Sequence, residues 1–502
     1  MTSLALPAVI QGGMGIGVSN WCLARAVSLR GQLGVVSGTA IDSLFTRRLQ
    51  DGDTGGHLRR AMAHFPIPGV AARALRRYFR EGGRPADMPY RLLPMYRRGV
   101  ARAREQLTML ASFVEVWLAK EGHGGLVGLN LLTKLQLPNL ATLYGAMLAG
   151  VDYVLMGAGI PREIPGVLDA LAAHEPAAIR LDIEGGGPEM DATIRLDPRD
   201  HWEGAPPMPL NRPRFLPIIA SNSLATMLAR KASGRIDGFV IEGATAGGHN
   251  APPRGALQLN NRGEPVYGER DEVDLAKIRE LGLPFWLAGG TGSPAALRAA
   301  RDAGAAGIQV GTLFAYAEES GVAAEFKTSV LLHAAGGAVD VFTDPEASPT
   351  GYPFKVVRWP GDPTLTALPR ERICDLGYLR TAYVGADGRL GYRCPGEPVA
   401  AYVEKGGRAE DTVGRHCLCN ALMANIGHPQ VRGESGVELP LLTSGDDLSS
   451  IGGFLAGRVR YTADDVLDYL LGDGAAVENP FRPGVSGAPG ARRDCGVARR
   501  RE

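Results

Sequence analysis

The sequence predicts an α/β fold, a (β/α)8 barrel of the TIM type, and three observations lead there. Eight short apolar runs recur along the first 320 residues. Each leads into a Gly-rich turn, and most intervening segments carry a helical pattern, so strand, loop and helix repeat. Several runs are apolar throughout, as expected for strands covered on both faces. Eight such units suit a closed barrel better than the alternative, an open doubly wound sheet.

The runs, in order, are PAVIQ (7–11), LGVVSG (33–38), LVGLNLL (126–132), VDYVLMG (151–157), FLPIIAS (215–221), IDGFVIEG (236–243), PFWLAGG (284–290) and AGIQVGT (306–312). Helices are expected at 139–150, 223–234, 273–282 and 293–304. Two insertions interrupt the barrel expected over 1–320. Residues 41–122 are Arg-rich and helical, read as a cap with solvated Arg faces or, alternatively, as a surface for an acidic partner such as a carrier protein or phosphorylated substrate. Residues 177–214 pair AAIRLDI with ATIRLD as a β-hairpin around EGGGPEMD. A C-terminal extension at 321–480 is expected to pack on the barrel, and the Gly-, Arg- and Pro-rich tail at 481–502 to be disordered.

Composition excludes several classes. With 54 basic and 53 acidic residues the net charge is +1, so no global field draws the chain to nucleic acid or an anionic membrane. The amino end lacks signal-peptide features, and no apolar run is long enough for a transmembrane helix. Six cysteines in 502 residues make no disulfide scaffold. A cytoplasmic enzyme is the expectation, with an oligomer left open. Glycine is the outlier, 68 of 502, roughly twice average usage.

Many of these glycines fall where chemistry is expected. Gly289 and Gly290 leave the seventh run, and Gly311 and Thr312 leave the eighth. Barrel phosphate sites are commonly built from these two loops, with backbone N–H groups and a helix N-terminus facing the anion. Gly247 and Gly248 follow the sixth run and precede His249, which titrates near neutrality and suits general acid or base work. Gly12, Gly13, Met14 and Gly15 follow the first run and suit close passage over a flat ring. Asn130 places an amide in or at the mouth of the barrel.

Together, QGGMGIGVS (11–19), GLNLL (128–132), EGATAGGH (242–249), LAGGTGS (287–293) and GIQVGTLFAYAEES (307–320) resemble the nitronate monooxygenase family, formerly 2-nitropropane dioxygenases, which includes related FMN-dependent enoyl reductases. The resemblance implies non-covalent FMN. Gly289, Gly290, Gln309, Gly311 and Thr312 would hold its phosphate, and Gly13, Met14, Asn130 and Gly247 would lie near its ring, with Glu242 and Gly248 beside them. His249 matches the family's catalytic histidine. The implied activity is oxidation of a nitronate or other carbanionic small molecule with O2. The alternative is an NAD(P)H-dependent enoyl-thioester reductase acting on a carrier-bound chain, with an acyl carrier protein as partner. Glu242, where many members carry Gln, leans toward reduction. Asn250 to Pro253 separate the His from Arg254-Gly255, which differs from the usual family loop.

Two further features stand outside the barrel motifs. The segment 343–357, ending near Lys355, is either a cover for the site or a surface turn. Cys374, Cys394, Cys417 and Cys419 lie within 46 residues, but their spacing lacks the usual C-x-x-C knuckle. Ordinary buried thiols are the first reading, and a zinc or iron–sulfur site is the lesser alternative.

Overall fold

The computed structural model describes residues 6–187, 192–204, 206–365, 371–433 and 436–472. The tail expected at 481–502 and the end of the EGGGPEMD turn lie outside them. Eight parallel strands form one sheet: β1 (Val9–Gln11), β2 (Gly34–Ser37), β3 (Val127–Leu132), β4 (Tyr153–Gly157), β5 (Arg214–Ile219), β6 (Phe239–Glu242), β7 (Phe285–Ala288) and β8 (Gly307–Val310). Their spatial order is β1-β8-β7-β6-β5-β4-β3-β2. Ile10 bridges Leu33 in parallel, with Leu33 N donating to Val9 O at 3.2 Å and Gln11 N to Leu33 O at 2.9 Å, so the ends of the sheet meet and the barrel closes.

Each expected run is one of these strands, and the structure shows why they lack alternation. Ile10, Val35, Leu155, Leu216, Val240 and Trp286 fill the barrel interior. Their neighbours Val9, Val36, Val154, Phe215, Ile241 and Phe285 pack against the surrounding helices. Both faces are apolar, so period two disappears from the sequence. Trp286 is fully buried and its indole Nε1 donates to Pro7 O at 2.8 Å, which removes the cost of burying that N–H.

The insertion after β2 departs from the expected cap of solvated Arg faces. Its last helix, Arg102–Lys120, is buried over most of its length and fills the helix layer between β2 and β3. It packs on helix Gln136–Leu148 at Gly145, where a Cβ would stand 2.1 Å from Met109 O. Arg104 and Arg47 are core groups, only 5% and 2% exposed. The reason is electrostatic. Asp42 is buried, and burial alone would raise its carboxyl, but Arg104 and the hydroxyls of Tyr378 and Thr108 hold it below the usual range. Arg76, Arg77 and Arg80 do remain exposed.

In the second insertion, Ala177–Arg180 pairs antiparallel with Thr193–Leu196, as the expected hairpin requires. Between them, Ile183–Glu184 runs parallel to Thr381–Val384, which joins the insertion to the C-terminal extension. The extension contributes an antiparallel pair, Asp340–Asp344 with Phe354–Arg358, and ends in helix Ala463–Leu471. That helix lies against Trp21–Leu29, and Arg30 pairs with Asp464 and Asp468 at 3.0 and 2.6 Å. Among the described residues, no helix is long and apolar enough to cross a membrane.

Candidate active site

The C-terminal ends of the strands bring most of the singled-out residues to one mouth. After β1, Gly12 N donates to Val310 O at 2.9 Å, and Ser19 Oγ donates to Gly12 O at 2.8 Å while accepting from Met14 N at 3.0 Å. The turn is thereby pinned against β8. A Cβ on Gly13 would fall 2.1 Å from that of Asn130, so only glycine lets these two meet. A Cβ on Gly12 would stand 3.5 Å from Gln309 Cγ, and one on Gly311 3.6 Å from Met14 Sδ. Gly12, Gly13, Met14, Asn130, Gln309 and Gly311 therefore form one continuous surface.

Polar atoms on this surface are unspent. Gln309 Oε1 is buried without a hydrogen-bond partner among the described residues. The Asn130 side-chain amide, on a residue 8% exposed, likewise makes no hydrogen bond among them. Gly289 and Gly290 have φ of +93° and +64°, and both approach Thr245 Oγ1. The backbone N–H groups of Gly289, Gly290 and Gly311 donate no hydrogen bond among the described residues. These N–H groups follow two adjacent strands and are free to meet an acceptor.

His249 follows β6 and so sits at the same end of the barrel. Its Nε2 lies 2.6 Å from Ser348 Oγ, and its ring meets Phe354 edge-on at 4.8 Å. A backbone bridge joins His249 to Phe354, and Lys355 N donates to Gly248 O at 2.9 Å. The segment 343–357 is therefore a wall of the site, the first of its two expected readings. Lys355 itself is buried, its Nζ 2.7 Å from both Asp446 Oδ1 and Thr343 Oγ1. Packing strips water from His249 and lowers it to about 4, so the imidazole is neutral at physiological pH. The same desolvation raises Glu242, at the end of β6, to about 7. A small cavity of roughly 40 Å³ adjoins Glu242, walled by Arg254, Tyr267 and Asp271 from the loop that follows His249.

The extension also supplies Ser348, from the singled-out segment 343–357, and four further groups that the motifs did not mark. Ser348 contacts His249, and Thr443 Oγ1 accepts from Gly248 N at 2.8 Å. A Cβ on Gly247 would strike the Ser444–Gly445 backbone at 2.7–2.8 Å. Asp446 N donates to Thr245 O at 3.0 Å, and Asp447 accepts from Thr312 Oγ1. The Thr312 hydroxyl is thus engaged by Asp447 and by Gly445 N, rather than facing an anion. For 443–447 the sequence signal is TSGDD, a hydroxyl, glycine and acid run set directly after an apolar stretch.

The four cysteines lie together, and Leu418 beside two of them packs with Ala347 and Phe354 behind the His249 wall. Burial pushes the Cys374 thiol up to about 12 and those of Cys394 and Cys419 upward, and their neighbouring thiols add to the effect. Among the described residues, no group of three or more His, Cys, Asp or Glu is arranged to hold a metal ion.

Fold and site define a class: a parallel (β/α)8 barrel whose C-terminal loops carry free glycine N–H groups, a neutral histidine and a desolvated carboxyl. Residues 206–341, which carry β5 to β8 and the His249 loop, match the family model described as nitronate monooxygenase, so the resemblance carried by the motifs stands over that segment. No curated protein matches the chain. Among solved structures, FabK from Thermotoga maritima is 16% identical, with TM-score 0.44 and coverage of 93% of this chain and 92% of that one. A nitroalkane oxidase from Streptomyces ansochromogenes is 14% identical, with TM-score 0.43 and coverage of 93% and 95%. The enoyl reductase domain of MlnA from the macrolactin cluster of Bacillus amyloliquefaciens is 12% identical, with TM-score 0.45 and coverage of 93% and 94%.

Proposed function

We propose that this chain is an FMN-dependent oxidoreductase that oxidises a nitronate or similar carbanionic small molecule with O2. The residues present fit the flavin. The N–H groups of Gly289, Gly290 and Gly311 suit its phosphate, and the Asn130 amide and the orphaned Gln309 Oε1 suit polar atoms of the ring or ribityl chain. Gly12, Gly13 and Met14 offer the close, nearly flat surface a ring needs. When bound, FMN supplies the electron transfer that no side chain here can perform.

The observation that carries the reading is His249, held neutral at the edge of this surface. With Ser348 Oγ donating to Nε2, Nδ1 carries the proton and can donate to an oxygen of an anionic substrate. With Nε2 donating to Ser348, Nδ1 is the acceptor and can take a proton. Either role orients a substrate without placing a cation beside it. Ser348, fully buried, and Phe354 cover His249 from one side, which strengthens its contacts there.

Glu242 favours a second reading, NAD(P)H-dependent reduction of an enoyl thioester. A carboxyl raised to about 7 retains a proton at neutral pH and can deliver it to a reduced substrate carbon. Anaerobic rapid mixing separates the two. Bleaching of the flavin by propionate-3-nitronate, with none by NADPH, supports oxidation. Rapid bleaching by NADPH, with none by the nitronate, sinks it in favour of the reductase. Purified protein with neither flavin nor flavin affinity sinks both.

A further inference from the structure

The Arg-rich insertion holds a cavity that the redox chemistry does not use. It has a volume of about 230 Å³ and is walled by Arg77, Arg80, Arg84, Arg91, Tyr78 and Tyr90. Four guanidinium groups converge there, and no carboxylate lines the space. Arg84 is fixed in place. Its side chain is 8% exposed, its guanidinium lies 3.7 Å over the Tyr90 ring, and its Nε makes no hydrogen bond among the described residues. Its Nε faces Asp51 Oδ1 at 3.1 Å, while Asp51 Oδ2 accepts from Tyr90 OH at 2.6 Å and lies 2.9 Å from His428 Nδ1, so among the described residues Arg84 has a carboxylate and the other three arginines do not. Arg77, Arg80 and Arg91 form no ion pair among the described residues, and Arg91 Nη1 points to Arg77 O at 3.5 Å.

Like charges gathered around one void repel unless an anion answers them. Arg30, Arg262 and Arg408, by contrast, each face a carboxylate. We propose that this cavity is a binding site for the phosphate group of an organic ligand. Guanidinium forks match phosphate oxygens in geometry, and a phosphomonoester carries about two negative charges to set against the three unpaired cations. Met88, Pro89 and Tyr78 line the same space and give the attached organic portion apolar contact.

The test uses the full chain with whatever flavin it carries. Calorimetric titration with inorganic pyrophosphate is expected to show saturable binding that weakens as salt rises. Arg77→Glu/Arg80→Glu alters two exposed side chains and is expected to weaken it at least about tenfold, since one charge-assisted hydrogen bond is worth that much. Flavin content and circular dichroism are expected to stay unchanged, and Arg301→Glu, on an exposed barrel helix, to bind as wild type. Adenosine monophosphate and a phosphopantetheinylated carrier protein are then used as competitors. Whichever displaces pyrophosphate identifies a free phosphomonoester or a carrier-borne phosphodiester as the source. Absence of pyrophosphate binding at millimolar concentration overturns the proposal. So does wild-type affinity in the double variant, or displacement by neither organic phosphate. None of these outcomes depends on the redox reading.

Discussion

His249 and Ser348 form a unit in which one residue does the chemistry and the other decides which nitrogen is available. His249→Ala removes the only imidazole at the mouth without disturbing the glycine surface. Turnover is expected to fall by about 100-fold or more while flavin absorbance is retained, as is usual when an acid–base group is removed. Activity within about threefold of wild type would end the assignment. Ser348→Ala leaves the imidazole in place but frees it to rotate about χ2, losing the 2.6 Å contact. A loss of roughly fivefold to tenfold in kcat is expected, the scale of one hydrogen bond. KM should change little, and Ser348→Thr should restore most of the rate. A purely structural role would instead lower thermal stability, with no rescue specific to the hydroxyl.

At the scale of elements, most of the site was legible because barrel geometry does the positioning. A residue following a parallel strand in a barrel arrives at the C-terminal mouth whatever the helices do. For this reason Gly13, Asn130, His249 and Gly289 could be placed together from strand runs alone. Two elements resisted. Helix Arg102–Lys120 opens with Arg102, Arg104 and Glu105, so its first turn reads as solvated although Arg104 is spent inside on Asp42. Segment 443–447 has no periodicity, and its place over Gly247 and Thr312 follows from how the extension folds back, which no local pattern records. The buried character of the long helix yields its own prediction. Gly145→Val drives methyl groups into the Met109 carbonyl, where neither backbone can retreat easily. A loss of about 1–3 kcal/mol in urea unfolding is expected, the usual cost of overpacking. An unchanged midpoint would mean that the two helices do not touch there.

Across the whole molecule, burial sets two families of titrating groups against each other. Glu105, Glu242, Glu319 and Asp447 are raised, chiefly by desolvation. His123, His201, His249 and His428 are lowered, again chiefly by desolvation. For a raised carboxyl the folded state binds the extra proton, so stability falls as pH rises toward the folded value. For a lowered imidazole the unfolded state binds it, so stability falls as pH drops below the usual histidine value. Between about pH 4.5 and 6.5 both families are active with opposite slopes, which cancel to first order. The melting temperature is therefore expected to be nearly flat across that window. It should then drop more steeply at lower pH, where Asp42 and Asp51, both held below the usual range, begin to lose their charge-dependent partners. His201→Gln removes one imidazole from the balance and should tilt the plateau, so that stability rises as pH falls from 6.5 to 4.5. Scanning calorimetry in buffers of matched ionic strength reads both slopes. A wild-type curve that already climbs or falls steeply through the window would show that the two families are not opposed, and that one of the buried sets is more open to water than its packing indicates.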